Sequence, residues 1–169
     1  MRGFIALGSN LGDRWAHLRS GLVEMARAGI PAVASSSVWE TEPVDTGDSY
    51  WFLNMVVRIE TETPPLDLLE LLLEVERREG RIRTERNAPR VLDLDLLLLG
   101  DYRLEGPRLT LPHPRMWERR FVLAPLAELA PDLRNSDTGL TVVESCTLLG
   151  DRPGVRRLGV LAAAVREPV

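Results

Sequence analysis

Lysine and glutamine are missing from this chain, and all 21 of its basic residues are arginine. The absence of lysine excludes a phosphate-binding loop of the G-x-x-x-x-G-K-[ST] type, so any phosphate chemistry must lean on arginine and metal. Cysteine is nearly missing. Cys146 stands alone, cannot form an internal disulfide, and suits a reducing cytoplasm, with a structural or incidental role expected for it. No apolar run reaches membrane-spanning length, and the opening residues 1 to 8 carry too short an apolar stretch for a signal peptide. The basic excess that non-specific nucleic-acid binding requires is also missing, since the net charge is −4. The 169 residues suffice for one domain, 1–169, with a real core. A cytoplasmic monomer with neither nucleic acid nor membrane as partner is expected.

What is present is concentrated in Arg90-Val91-Leu92-Asp93-Leu94-Asp95-Leu96-Leu97-Leu98-Leu99-Gly100. As a strand, it alternates its side chains between two faces. Leu92, Leu94, Leu96 and Leu98 fall on one face, and Asp93, Asp95, Leu97 and Leu99 on the other. The two carboxylates are then about 7 Å apart at the N-terminal end of an apolar strand. Unpartnered buried anions are costly, so positive charge must meet them. Either a divalent cation does so, since Mg²⁺ is usually held by one or two carboxylates plus phosphates, or the arginines upstream do. Those arginines lie in residues 81 to 90, R-I-R-T-E-R-N-A-P-R, where four guanidinium forks suited to phosphate oxygens fall in ten residues. A cationic loop feeding an acidic strand suits a nucleotide triphosphate with Mg²⁺.

Residues 3 to 7 read as a strand, and G-S-N-L-G-D (8 to 13) as a tight turn into a helix over 14 to 28, capped by Asp13. His17 is an ordinary residue of that helix. Residues 32 to 40 read as a second strand and 50 to 60 as a third. Asn54, in the middle of the third, either satisfies backbone or reads the edge of a heterocycle. Thr63-Pro64-Pro65 opens a strongly apolar helix that Gly80 ends, with Thr63 or a neighbour as its cap. Beyond Gly100 a hairpin is expected. Pro112 and Pro114 then fix His113, either as a site residue or as a packing one. Residues 116 to 130 read as helix, interrupted at Pro125. Residues 134 to 169 read as a terminal strand or helix packed on the body. The order strand, helix, strand, strand, helix, strand predicts an α+β, ferredoxin-like β-α-β-β-α-β sandwich, one sheet face covered by two helices, with additional C-terminal elements.

Four motifs in order resemble the 6-hydroxymethyl-7,8-dihydropterin pyrophosphokinase family: G-S-N-L-G-D (8 to 13), S-x-x-W-E-T-E-P-V (36 to 44) with F-L-N (52 to 54), R-I-R-x-x-R-x-x-P-R-x-L-D-L-D-L-L-L-L-G (81 to 100), and L-T-L-P-H-P-x-M-x-x-R-x-F-V-L-x-P-L-x-E-L-A-P (109 to 131). The likeness departs at Asn87, where many relatives carry Trp, and at Pro114, where some carry an aromatic. It implies transfer of pyrophosphate from ATP to the pterin hydroxymethyl group, attack at the β-phosphorus and release of AMP. Asp93 and Asp95 match ligands of two Mg²⁺ ions. Arg81 and Arg90 match arginines that act on the phosphates, and Arg83 one that contacts ATP. Glu76, Leu96, Arg108, Thr110, His113 and Arg119 match nucleotide-binding positions. Thr41, Pro43, Val44, Phe52, Asn54 and Phe121 match the pterin pocket, the two phenylalanines sandwiching the ring. Residues 44 to 49 and 81 to 90 are expected to be mobile without ligand. Two rivals remain at this point: another two-metal phosphohydrolase or nucleotidyltransferase, and a ferredoxin-like RNA-binding module.

Overall fold

A computed structural model describes residues 1–43, 51–80, 90–151 and 154–161. Val44, Arg81 and Arg83 lie outside the described residues, as do 44 to 49 and 81 to 89 of the two segments expected to be mobile.

The short apolar run of the N-terminus becomes β1 (Arg2–Ser9), an interior strand of the sheet buried on both faces. It pairs antiparallel with β4 (Phe52–Glu60) on one side and β5 (Asp93–Leu99) on the other. The strand expected over 32 to 40 is two strands, β2 (Ala32–Ser35) and β3 (Val38–Thr41), both pairing with β4. The break falls at Ser36 and Ser37, whose hydroxyls are put to use. Ser36 Oγ accepts from Val56 N at 2.9 Å, while Ser37 donates from its N and its Oγ to Glu128 at 3.0 and 2.9 Å. The main path of the sheet is β5-β1-β4-β3-β8, where β8 (Val155–Gly159) is a strand of the C-terminal region added beside β3. The α+β ferredoxin-like plan therefore holds, with additions at its end.

Helix α1 (Arg14–Arg27) starts where Asp13 accepts from Ala16 N at 3.0 Å, the cap expected from the sequence. Helix α2 (Pro65–Arg78) has Pro64, the neighbour of Thr63, at its cap position and no side-chain cap; proline's fixed φ suits the first turn without one. Gly80, with φ +84°, turns the chain away after it. Both helices cover one face of the sheet, over a core including Leu7, Leu18, Leu53, Leu72 and Leu94. Burying each such side chain contributes about 1.5–3 kcal/mol.

The opposite face is covered too, which the expected order of elements did not provide for. A 3-10 turn (Met116–Glu118) leads through extended Arg119 into α3 (Arg120–Leu129), which with α4 (Val142–Leu148) encloses Phe4, Val56, Leu97 and Val122. Helix α3 runs through Pro125 without interruption. Proline at the sixth of its ten residues gives up the bond to the Phe121 carbonyl, but burial of Val122, Leu123 and Leu126 against the sheet holds the helix together, so the expected break does not occur. The C-terminal residues supply both a helix and a strand. Thr141 and Glu144 form a reciprocal capping box at α4, and Cys146 packs against the second core. Among the described residues no helix is long and apolar enough to cross a membrane.

One expected detail of β5 is corrected. The register with β1 slips so that Phe4 opposes Leu98 while Ile5 opposes Leu96. This bulge inserts Leu97 as an extra residue and switches the faces after it. Leu99 accordingly enters the core beneath α1 and α2, and Leu98 packs with the α3 side, the reverse of a strict alternation.

Candidate active site

Register alone brings the acidic strand and the amide strand together. Gly8 on β1 opposes Asn54 on one side and Asp93 on the other, and Ala6 opposes Asp95. Residues directly opposite in a sheet share a face, so Asn54, Asp93 and Asp95 lie on the α3 side, with Phe52 two residues before Asn54. Two inter-strand spacings separate Asn54 from Asp93, about 10 Å between backbones. Gly8 between them is held to its size: a Cβ there would stand 2.9 Å from Asn54 Oδ1. Asn54 is nearly buried, and its amide nitrogen donates to Thr41 Oγ1 at 2.7 Å, which fixes the orientation of the amide. Thr41 opposes Phe52 across the β3–β4 ladder. Its neighbours are held by the C-terminal strand. Glu40 accepts from Arg14 at 2.9 Å and Arg156 at 2.7 Å, and Glu42 accepts from Gly154 N at 3.2 Å. Burial would raise the Glu40 carboxyl, but these two guanidiniums outweigh it and hold the group below its ordinary value.

Strand β5 is an edge strand, and a cleft of about 390 Å³ opens along it. Its walls gather Glu76, Arg90, Asp93, Asp95, Leu96, Arg108, Thr110 and His113, eight of the residues expected to serve the nucleotide and metal. Glu76 projects from α2 and accepts from Leu94 N at 2.8 Å, so it also ties helix to strand. The hairpin of β6 (Leu104–Glu105) and β7 (Thr110–Leu111) forms the opposite lip, and its Arg108 pairs with Glu70 of α2. His113 donates its N–H to the Leu97 carbonyl at 2.7 Å, while its Nδ1 accepts from Arg115 N at 3.2 Å. That bond assigns the neutral ring with hydrogen on Nε2. Burial and the nearby Arg119 and Arg115 also push the His113 pKa down.

The electrostatics centre on Asp95. Its pKa is pushed up to about 7, first by burial and then by Asp93, with Glu76 adding to it and Arg119 and Arg90 opposing it. Arg90 Nη1 donates to Asp93 Oδ2 at 2.8 Å, and Arg119 Nη1 stands 3.9 Å from Asp95 Oδ2. Arginine pairing was the alternative account of these aspartates, and among the described residues Arg119 and Arg90 do not offset what raises Asp95. The Asp95 side chain keeps 37% of its surface exposed, so a ligand can supply positive charge through the open side of the cleft. Burial pushes Arg119 below its ordinary value, and its guanidinium lies over the Phe121 ring at 5.6 Å from the centroid. Arg119 thus links the acidic end to the aromatic end of the face. Pro43 is half-buried at the end of the described part of its loop, as are Phe52 and Phe121. None of the described residues expected in the pterin pocket lines the cleft itself; they lie on or beside the adjoining sheet face.

Some contributors were not singled out from sequence. Leu69 and Leu73 line the cleft beside Glu76, and the 69, 73, 76 spacing marks a common helix face that could have revealed them. Asn10 holds the backbone of Arg90, a contact over 80 residues that no local pattern announces.

The model of the family described as 7,8-dihydro-6-hydroxymethylpterin-pyrophosphokinase (HPPK) matches residues 4–131. A 2-amino-4-hydroxy-6-hydroxymethyldihydropteridine pyrophosphokinase of Bacillus subtilis is 45% identical over 136 residues, covering 80% of this chain and 81% of the relative. One of Methylorubrum extorquens is 43% identical over 158 residues, 93% of this chain and 98% of the relative. A crystal structure titled as HPPK-DHPS in complex with substrates superposes with a TM-score of 0.76 over 96% of this chain at 12% identity, which speaks for the fold. This chain covers 47% of that longer protein. On the family match and on identities above 40% along most of its length, the chain belongs to the 7,8-dihydro-6-hydroxymethylpterin-pyrophosphokinase family.

Proposed function

We propose that the β5 cleft and the adjoining sheet face form one active site, with nucleotide in the cleft and pterin on the face. The enzyme is a pyrophosphokinase of folate biosynthesis: it transfers pyrophosphate from ATP, its co-substrate, to the hydroxymethyl group of 6-hydroxymethyl-7,8-dihydropterin. The hydroxymethyl oxygen attacks the β-phosphorus, the bond from that phosphorus to the bridging α-phosphate oxygen breaks, AMP leaves, and the hydroxyl proton passes to solvent. The observation that carries this reading is the row Asn54, Gly8, Asp93, which sets a heterocycle-reading amide and a carboxylate on one face about 10 Å apart.

Asp93 and Asp95 are the proposed holders of two Mg²⁺ ions. The donor set fits: hard carboxylate oxygens, too few to form a complete cage, beside room for phosphate oxygens. Asp95, whose carboxyl resists ionisation among its present neighbours, fits a cation equally well. Such ions supply charge stabilisation at the entering and leaving oxygens. Arg90 and Arg81 are assigned to the phosphates, and Arg83, Arg108, Arg119, Glu76, Leu96, Thr110 and His113 to the nucleotide. Phe52 and Phe121 hold the ring, Asn54 reads its polar edge, and Thr41, Pro43 and Val44 complete the pocket. The reaction demands positioning and electrostatics more than covalent help, which suits a site without a nucleophile among its described residues. The same reading takes the chain as one domain, monomeric, and cytoplasmic on the strength of its single cysteine.

Counting bound Mn²⁺ by equilibrium dialysis with α,β-methylene-ATP, whose α–β bridge cannot be cleaved, tests the metal assignment. Two ions per chain are expected, falling to one or none in Asp95→Asn. An unchanged count in the variant would place the ions elsewhere.

A further inference from the structure

The G-S-N-L-G-D turn reads in sequence as no more than a compact strand-to-helix connection. In the fold its asparagine serves a distant partner. Asn10 is 94% buried (6% exposed) and joins Arg90 through two bonds. Arg90 N donates to Asn10 Oδ1 at 2.6 Å, and Asn10 N donates to the Arg90 carbonyl at 3.1 Å. Both backbone polar groups of Arg90 are therefore spent on one residue of the turn. The Arg90 side chain then spans to Asp93 at 2.8 Å, and Asp93 is itself in register with Gly8, two residues before Asn10.

We propose that Asn10 is a positioning residue for pyrophosphoryl transfer, fixing the Arg90 backbone so that its guanidinium is aimed at Asp93 and the phosphates. The proposal rests on the reading of Arg90 as a phosphate-facing residue. The turn meets the approach to the acidic strand at this clasp, where the last residue of the arginine-rich segment leads into β5. An arginine side chain has many rotamers, and its delivered geometry depends on how firmly its base is held. Alanine cannot make the side-chain half of the clasp. Aspartate keeps the accepting oxygen, at the cost of a buried charge, and so restores the clasp in part.

The test is a mutant cycle read in kcat and in the KM of each substrate. Asn10→Ala is expected to lower kcat about tenfold to a hundredfold, the scale of a small misplacement of a reacting group. Both KM values should stay within about twofold, and Asn10→Asp should recover part of the kcat that Asn10→Ala loses. In an Arg90→Ala background, Asn10→Ala should lower kcat no further, since nothing remains to be aimed. A kcat loss in Asn10→Ala that recurs in full in the Arg90→Ala background would overturn the positioning role, as would no loss at all while Arg90→Ala is impaired. An Arg90→Ala enzyme with undiminished kcat would instead overturn the reading of Arg90, and the proposal with it.

Discussion

Asp95→Asn is expected to abolish turnover while leaving the metal-free protein at least as stable as wild type. The two halves have one cause. Asp95 sits beside Asp93 with Glu76 nearby, and burial together with these acids raises its pKa to about 7 despite Arg119 and Arg90. A carboxylate so placed is a cost to the empty fold at neutral pH, and the neutral amide removes it at nearly unchanged volume. On the proposed reading the carboxylate is there to hold a cation. Losing a cation that balances charge at the reacting phosphates forfeits several kcal/mol of transition-state stabilisation, or about 10³-fold or more in kcat. The checks are a rate measurement at saturating ATP, Mg²⁺ and pterin, and thermal unfolding of both proteins in chelator. A variant that loses activity together with several degrees of melting temperature would make Asp95 a structural residue and not a ligand.

The second large effect is expected at Asn54. Its amide nitrogen is committed to Thr41 Oγ1, and its oxygen lies close to the strand that carries Gly8. A buried amide locked in this way presents a fixed donor–acceptor pattern, which is what recognition of a flat heterocycle requires. Asn54→Ala removes the pattern and leaves polar groups of the bound ring unpaired. A loss of about 100-fold in kcat/KM for the pterin follows, equivalent to about 2.7 kcal/mol. The KM for ATP should change little, because the nucleotide cleft is lined from β5, α2 and the β6–β7 hairpin and not from β4. Steady-state kinetics with each substrate varied in turn distinguishes this from a general loss of fold, which would impair both.

Much of this arrangement was legible in the residues. Apolar, aromatic and β-branched runs marked the strands, and two aspartates in a leucine run announced a charged face within a core. The parts that were not legible share a physical reason. Four consecutive leucines, 96 to 99, carry no parity signal, so the bulge at Leu97 that moves Leu99 to the other core is invisible until β1 is set beside β5. Proline at 125 has the same ring wherever it falls, and the packing of Val122, Leu123 and Leu126 against the sheet, which local sequence does not show, lets the helix run past it. Ser36 and Ser37 break a strand because Val56 and Glu128 are there to meet them. For the site, Asp93, Asp95 and Asn54 stood out individually, but their shared face depends on register through Gly8, a long-range property.

The central claim is that this face and cleft move a pyrophosphoryl group from ATP to a pterin. Phosphorus NMR of the purified protein with ATP, Mg²⁺ and 6-hydroxymethyl-7,8-dihydropterin tests it most directly. The account predicts AMP and a pterin pyrophosphate in equal amounts, with no AMP when the pterin is left out. ADP, free pyrophosphate, or AMP formed without pterin would contradict it.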